Sequence, residues 1–400
     1  MADIRVEVGL VLQGGGALGA YEWGAVTALL TLMDEAAAHG RDIKLKCVTG
    51  VSIGAINAAC VVGATSHADA CRRLDGIWAD LTLDLPEFWP EWRFDLSAFG
   101  GPTIDTARDM SLFGLPAFYA PRSDFLNFPN WTSLYDTQAL VGTLERHVDF
   151  AALNASPTRI IVSAVDVKSG ELSRFTNHSA PPKPLAKPAR PWQREAPEPI
   201  GPKHILASGS LPPQFPWTTI NGHRYWDGGL VDNTPIGDVA DAFSQGEDVE
   251  RLLIVMNLYP LRGRLPHNLA GVRDRVHELQ MGNRARQDRV TARRINALIE
   301  TIEDLRALVP DDRVDDRLRA RLDEAESYKI LDSITEIDLQ APGKAQDQRD
   351  DEDGLRDFSP ATIQGRRSRG HSRALAKLVP LFEAHDLIEP ACTRPMRASA

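Results

Sequence analysis

Cysteine is scarce in this 400-residue chain: four residues, at positions 47, 60, 71 and 392. Their spacing frames neither a disulfide scaffold nor a metal site. Cys47 and Cys60 lie in apolar stretches and read as core residues, and a reducing cytoplasm fits such usage. No apolar run approaches the roughly 20 residues that a membrane-crossing helix needs, so no transmembrane helix is expected. The opening Met1-Ala2-Asp3-Ile4-Arg5 has neither the charged nor the apolar region of a signal peptide. Positive charge is also short. Against 55 Asp and Glu stand 45 Lys and Arg, a net charge of −10, which argues against general affinity for nucleic acid. What is present is 43% hydrophobic residues, ample for a real core in one large or two modest domains.

Two glycine-rich strings stand out near the start. Gly50-Val51-Ser52-Ile53-Gly54 is a G-x-S-x-G between an apolar run at 45–49 and a small-residue helix at 55–62. A serine between glycines at a strand-to-helix turn sits on a sharp bend with its hydroxyl exposed, as an acyl-transfer nucleophile requires. The following helix turns unpaired N–H groups towards that hydroxyl and favours negative charge there. The other string, Gly14-Gly15-Gly16-Ala17-Leu18-Gly19, follows an alternating apolar stretch at 4–12 and opens a helix over 19–32. Without side chains over the backbone, its N–H groups can approach a charged atom closely. Two ligands would use that. Gly14, Gly16 and Gly19 match the dinucleotide fingerprint, and the same donors suit the oxyanion of a tetrahedral acyl intermediate. A dinucleotide fold wants a carboxylate at the end of the second strand. This chain delivers Ser52 there, so acyl transfer is the stronger reading and a nicotinamide-dependent oxidoreductase the alternative.

A base must accompany the serine. His178, His204 and His223 sit in polar or proline-rich surroundings with no motif around them. Tyr225-Trp226-Asp227-Gly228-Gly229 instead places an aspartate after an aromatic strand end, on a tight turn open to a close neighbour.

With these three elements in order, the chain resembles the patatin-like phospholipase family, over roughly residues 5–260. The family is marked by a glycine-rich oxyanion segment, a G-x-S-x-G elbow and a later D-G-[GA]; here they are Gly14 to Gly19, Gly50 to Gly54 and Asp227 to Gly229. Val165-Asp166-Val167-Lys168-Ser169-Gly170 and Ala207-Ser208-Gly209-Ser210-Leu211-Pro212 are further family-like segments. The resemblance implies a serine acyl hydrolase acting on lipid or other acyl esters. Ser52 is then the nucleophile and Asp227 its only side-chain base, a dyad rather than a triad. The oxyanion segment (Gly14, Gly15, Gly16, Ala17, Gly19) offers its N–H groups, with those of Gly15 and Gly16 taking the charge. Gly50, Gly54, Gly228 and Gly229 shape the two turns. No cofactor and no metal are implied. One departure is Leu18, where many members carry arginine or lysine. A free aspartate titrates near pH 3.9, so burial is expected to raise Asp227 towards working pH.

The remaining chain predicts an α/β fold, a mostly parallel sheet with helices on both faces, its strands at 5–12, 45–49, 159–165 and 251–257. A hydrolase domain over 5–260 carries two insertions. The one at 83–135 is dense in Trp, Phe and Pro and reads as a cover or a lid lining an acyl pocket. The one at 179–202 is proline-rich and reads as an exposed loop. Residues 261–400 read as a helical extension like that of a bacterial subset: a long helix over 272–309 with an arginine group (Arg284, Arg286, Arg289, Arg293, Arg294), an acidic linker at 341–354, and a last helix from Ser359-Pro360 to about Ala384. The arginines read first as a solvated face and otherwise as a peripheral contact with anionic lipid at the inner membrane surface. The last helix is open to packing on the core, homo-oligomer formation or a partner. A catalytically silent acyl-binding protein is the third functional reading.

Overall fold

The computed structural model describes residues 5–83, 93–95, 103–105, 111–178, 195–196, 199–244, 248–259, 265–266, 269–310, 313–326, 334–340 and 355–389. Its main sheet has nine strands: β1 (Arg5–Leu12), β2 (Ile43–Gly50), β3 (Arg159–Asp166), β4 (Leu172–Thr176), β5 (Glu195–Ala196), β6 (Thr218–Ile220), β7 (His223–Asp227), β8 (Val249–Asn257) and β9 (Ile334–Gln340). The order is β6-β7-β3-β2-β1-β8-β9, with β4 on β3 and β5 on β4. From β3 across to β9 every pair is parallel. β7 runs antiparallel to β6 and to β3, and β4 antiparallel to β3, whereas β5 is parallel to β4, so the sheet is mostly parallel.

Ten helices are described: α1 (Gly19–Ala38), α2 (Ile53–Val62), α3 (His67–Leu81), α4 (Gln138–His147), α5 (Phe150–Ala155), α6 (Pro202–Ser208), α7 (Ile236–Ala240), α8 (Leu269–Ala307), α9 (Asp316–Glu326) and α10 (Pro360–Ala384). Alternation along β1 separates two faces. Val6, Val8, Leu10 and Leu12 join the large core with α1, α2, α3 and α10. Val11 joins Val239 and Phe243 on the face covered by α7. Burial on both sides explains why the central strands read as apolar runs.

The predicted central strands stand: β1 keeps the expected bounds, and β2, β3 and β8 are a residue or two longer at one end or both, as hydrogen-bond ladders outrun apolar runs. The last helix begins at Pro360 after Ser359, as that dipeptide predicts. The tail is not purely helical, however. β9 pairs in parallel with β8 along its whole length. Its apolar residues, Ile334, Ile337 and Leu339, break strict alternation, which hid the strand from a periodicity reading. Nor is the tail a satellite: Phe358, Ile363, Leu378 and Phe382 belong to the same core cluster as Val8 and Ile56. The acidic stretch at 341–354, Cys392 and nearly all of 179–198 lie outside the described residues, as do the side chains of Arg284, Arg286 and Arg289; Arg293 and Arg294 are exposed.

Glycine lets α10 lie against α1. A Cβ on Gly370 would overlap the carbonyl of Tyr21, and one on Gly24 the carbonyl of Arg367. Backbone cannot yield as a flexible side chain does. We therefore expect Gly370→Val to lower the melting temperature by roughly 5–10 °C, read by circular dichroism. An unchanged transition would mean that the tail does not sit on α1.

The topology also brings two distant turns together. β4 covers one edge of β3 over residues 161–165. The opposite edge carries β2 as far as Gly50 opposite Val162, and then β7, which ends with Asp227 opposite Ala164. The carboxyl ends of β2 and β7 thus meet two residues apart on one edge.

Candidate active site

At the end of β2 the chain must turn sharply into α2. Ser52 takes the turn with φ 54° and ψ −122°, a backbone state that costs a non-glycine residue on the order of 1–3 kcal/mol and persists only where its surroundings hold it. They do so here by crowding. A Cβ on Gly50 would lie 2.5 Å from the Gly54 carbonyl oxygen, and one on Gly54 would overlap the Leu12 carbonyl. Both flanking glycines are therefore steric requirements. The Ser52 N–H donates to Ser208 Oγ at 2.9 Å, which fixes the elbow from α6.

Asp227 reaches the same point from β7. The β6–β7 hairpin turns on Asn221 and Gly222, both left-handed at φ 49° and 81°, the residue pair favoured in two-residue hairpins. Gly228 presses on the Ser163 carbonyl of β3, where a Cβ would overlap it. The Asp227 carboxylate is 3% exposed. It accepts from the Gly229 N–H at 2.8 Å, and the Ser52 side chain lies close enough to act on its charge. Burial pushes its pKa up to about 7, against the opposing pull of both neighbours.

The glycine segment closes the third side. A Cβ on Gly14 would stand 2.9 Å from Ser52 Cβ, so this loop touches the elbow. The five candidate donors of the segment do not behave alike. Gly14 N–H donates to Asn233 Oδ1 at 2.9 Å. Ala17 N–H donates to the Leu355 carbonyl at 3.0 Å, and Gly19 N–H to the carbonyls of Gly16 and Ala17. As prospective oxyanion donors these three are corrected, because their hydrogens are already committed to shaping the loop. Among the described residues no acceptor meets the N–H of Gly15 or Gly16, and both residues line the cavity beside Ser52.

Local sequence reasoning missed the residues that hold this arrangement. Asn233 grips Gly14 at both ends, its Nδ2 donating to the Gly14 carbonyl at 3.2 Å. Gln13 donates from Nε2 to Thr234 Oγ1 at 2.5 Å and accepts from Leu258 N–H at 2.8 Å. A polar Asp232-Asn233-Thr234 run that is nonetheless buried carries no periodic signal, and only its partner 219 residues away gives it meaning. Asn233→Ala leaves a buried N–H unmatched, at about 1–3 kcal/mol, and frees the loop to drift. A 1 Å misplacement is worth on the order of 10²-fold in rate, so we expect a loss of that size in kcat for ester hydrolysis, with the fold intact. Undiminished kcat would mean that Asn233 does not hold the loop.

The three histidines weighed against Asp227 as a base are engaged elsewhere: His178 with the Ser156 carbonyl, His204 with the Gly201 N–H, and His223 with Asp166 at 2.9 Å. None of the three lines the cavity.

That cavity, of about 600 Å³, falls within the usual range for small-molecule sites. Ser52, Asp227 and Gly14 to Gly16 lie in its wall, together with Ile53, Ile56, Leu140, Ile205 and Leu211. From the aromatic insertion, Phe118, Tyr119 and Tyr135 line it and interlock with Phe215 at ring separations of 4.9–6.2 Å. Phe113 and Phe128 of the same segment face outward, and residues 84–92 lie outside the described part. Among the described residues no helix is long and apolar enough to cross a membrane.

The family profile described as patatin-like phospholipase matches residues 10–240. No curated protein matches the chain. Among solved structures, VipD from Legionella pneumophila is similar at 14% identity and a TM-score of 0.37, with 96% of this chain and 67% of that chain covered. The ExoU–SpcU complex from the type III secretion system of Pseudomonas aeruginosa is similar at 13% identity and a TM-score of 0.26, with 99% and 80% covered. Likeness at that level adds nothing to the profile match.

Proposed function

This chain belongs to the patatin-like phospholipase family, and from that premise we propose that it is a serine acyl hydrolase of lipid or other acyl esters, working through a Ser52–Asp227 dyad. The observation that carries the reading is a serine on a strained elbow that shares the wall of a mainly apolar cavity with a buried carboxylate, close enough to act on its charge.

In the proposed reaction Ser52 Oγ attacks the ester carbonyl carbon while its proton passes to Asp227. The carbonyl oxygen becomes an oxyanion that accepts from Gly15 and Gly16, each donor worth about 3 kcal/mol by analogy with other oxyanion sites. Collapse expels the alcohol, which takes the proton from Asp227, and leaves an acyl-enzyme. Water then gives a proton to the same carboxylate and attacks the acyl carbon; the second collapse returns the proton to Ser52 and frees the acid. A group titrating at about 7 suits both directions of that transfer near neutral pH.

The test is labelling with a fluorophosphonate, which reacts only with an activated serine, alongside a chain-length series of neutral esters. Covalent mass added at Ser52 together with ester turnover is the expected result. An unlabelled, inert protein would return the chain to the silent acyl-binding reading.

A further inference from the structure

The carboxyl ends of β1 and β8 lie side by side, with Leu12 opposite Met256. The residues after each strand therefore leave the sheet at one edge: the glycine segment from β1, and Leu258-Tyr259 from β8. The two are stitched together. Leu258 N–H donates to the Gln13 side chain at 2.8 Å. A Cβ on Gly15 would stand 2.8 Å from Leu258 Cδ1 and 3.4 Å from the Tyr259 hydroxyl. The phenol oxygen is thus a neighbour of Gly15, whose N–H is one of the two offered to the oxyanion. It is also near enough to Asp227 for that charge to act on it. Tyr259 lines the cavity that holds Ser52.

The ring is buried and held from several sides. It packs with Tyr21 and Leu258, against Leu18, Met281 and Leu355. The His277 ring of α8 meets it edge-on at 5.7 Å, and a Cβ on Gly282 would stand 3.1 Å from its carbonyl oxygen. Its hydroxyl is the part left uncommitted: among the described residues nothing hydrogen-bonds to it. Its O–H is therefore available to an occupant of the cavity. Burial first, then the charges of Asp227, Glu22 and Glu278, push the phenol well above its ordinary range. At working pH it is a neutral donor and no base. A donor fixed in this way needs no reorganisation when charge develops beside it.

We propose that the Tyr259 hydroxyl is a third donor to the oxyanion, beside the N–H groups of Gly15 and Gly16. The proposal rests on the reading of Ser52 as the acyl-transfer centre and deepens it. The phenol donates a hydrogen bond and keeps its proton, so the path between Ser52, Asp227 and the leaving group is unchanged. Tyr259 lies beyond residues 10–240, the stretch that the family profile matches.

Tyr259→Phe removes one oxygen and keeps the ring. Loss of one oxyanion donor is expected to lower kcat for a neutral ester by on the order of 10²-fold, with KM little changed. A donor to the carbonyl oxygen also leaves a signature that a packing role does not. In the matched thionoester a sulfur replaces that oxygen and accepts hydrogen bonds poorly, so the penalty of the substitution should largely vanish there. A kcat within about threefold of the wild type, or an equal loss on ester and thionoester, would overturn the assignment. Thermal melting checks the fold of the variant. Should it melt early, the ratio of ester to thionoester turnover, taken within each protein, still decides. Fluorophosphonate labelling of the wild type reports on the hydrolase reading separately: an unlabelled, inert wild type sinks that reading and this donor with it, whereas a labelled, active wild type matched by Tyr259→Phe sinks the donor alone.

Discussion

Ser52→Ala is expected to abolish ester hydrolysis, by on the order of 10⁴-fold or more as in other serine enzymes stripped of their nucleophile, while the protein melts as the wild type does. The fold should survive because Ser52 holds its place through its backbone. Its N–H donation to Ser208 and the crowding of Gly50 and Gly54 are untouched by removing a hydroxyl. Alanine inherits the positive φ of 54°, so the strain stays. Ser52→Gly would release it and raise stability by about 1 kcal/mol with the same loss of activity. The pair separates two roles of one residue, since strain belongs to the backbone and chemistry to the oxygen. Turnover in the alanine variant within about tenfold of the wild type, or fluorophosphonate still attached to it, would put the nucleophile elsewhere.

How far the sequence reveals such a site depends on how local its causes are. The elbow was legible because its requirement is steric and confined to five residues: Gly50 and Gly54 are small for reasons their neighbours impose. The central strands were legible because burial on both faces demands apolar runs. Asp227 was legible as a turn, and its partner came from the family resemblance; what joins the two is the shared edge of β3, which no local pattern encodes. The Asn221-Gly222 pair did carry a hairpin signal that would have placed Asp227 at a strand end. By contrast, Asn233 acts on Gly14 from 219 residues away, and Leu355 acts on Ala17 from the tail. Their effect needs the assembled fold.

Asp227→Asn should produce opposite effects on rate and stability. The amide oxygen can still accept from the Gly229 N–H, so geometry is kept, but it cannot take the serine proton. We expect a loss of about 10³-fold in kcat/KM, within the 10²–10⁴ typical of positioned acid–base groups. The wild type should itself lose activity as pH falls through about 7, where the carboxylate becomes protonated. Stability runs the other way. The folded carboxyl holds its proton up to about pH 7, whereas the unfolded one releases it near 3.8. Below 3.8 both states are protonated and burial of the neutral acid costs nothing extra. As pH rises from there, the unfolded state gains by ionising first, so stability declines until the folded group ionises too. Over that window the decline attributable to Asp227 is about 4 kcal/mol. Asparagine does not titrate, so the variant should unfold at higher denaturant than the wild type at pH 8, and the gap should close by pH 4. Urea melts at the two pH values and a pH–rate profile of the wild type supply the measurements. A flat profile between pH 6 and 8, or a variant no more stable than the wild type at pH 8, would mean that the buried carboxylate is neither poised near neutrality nor acting as the base.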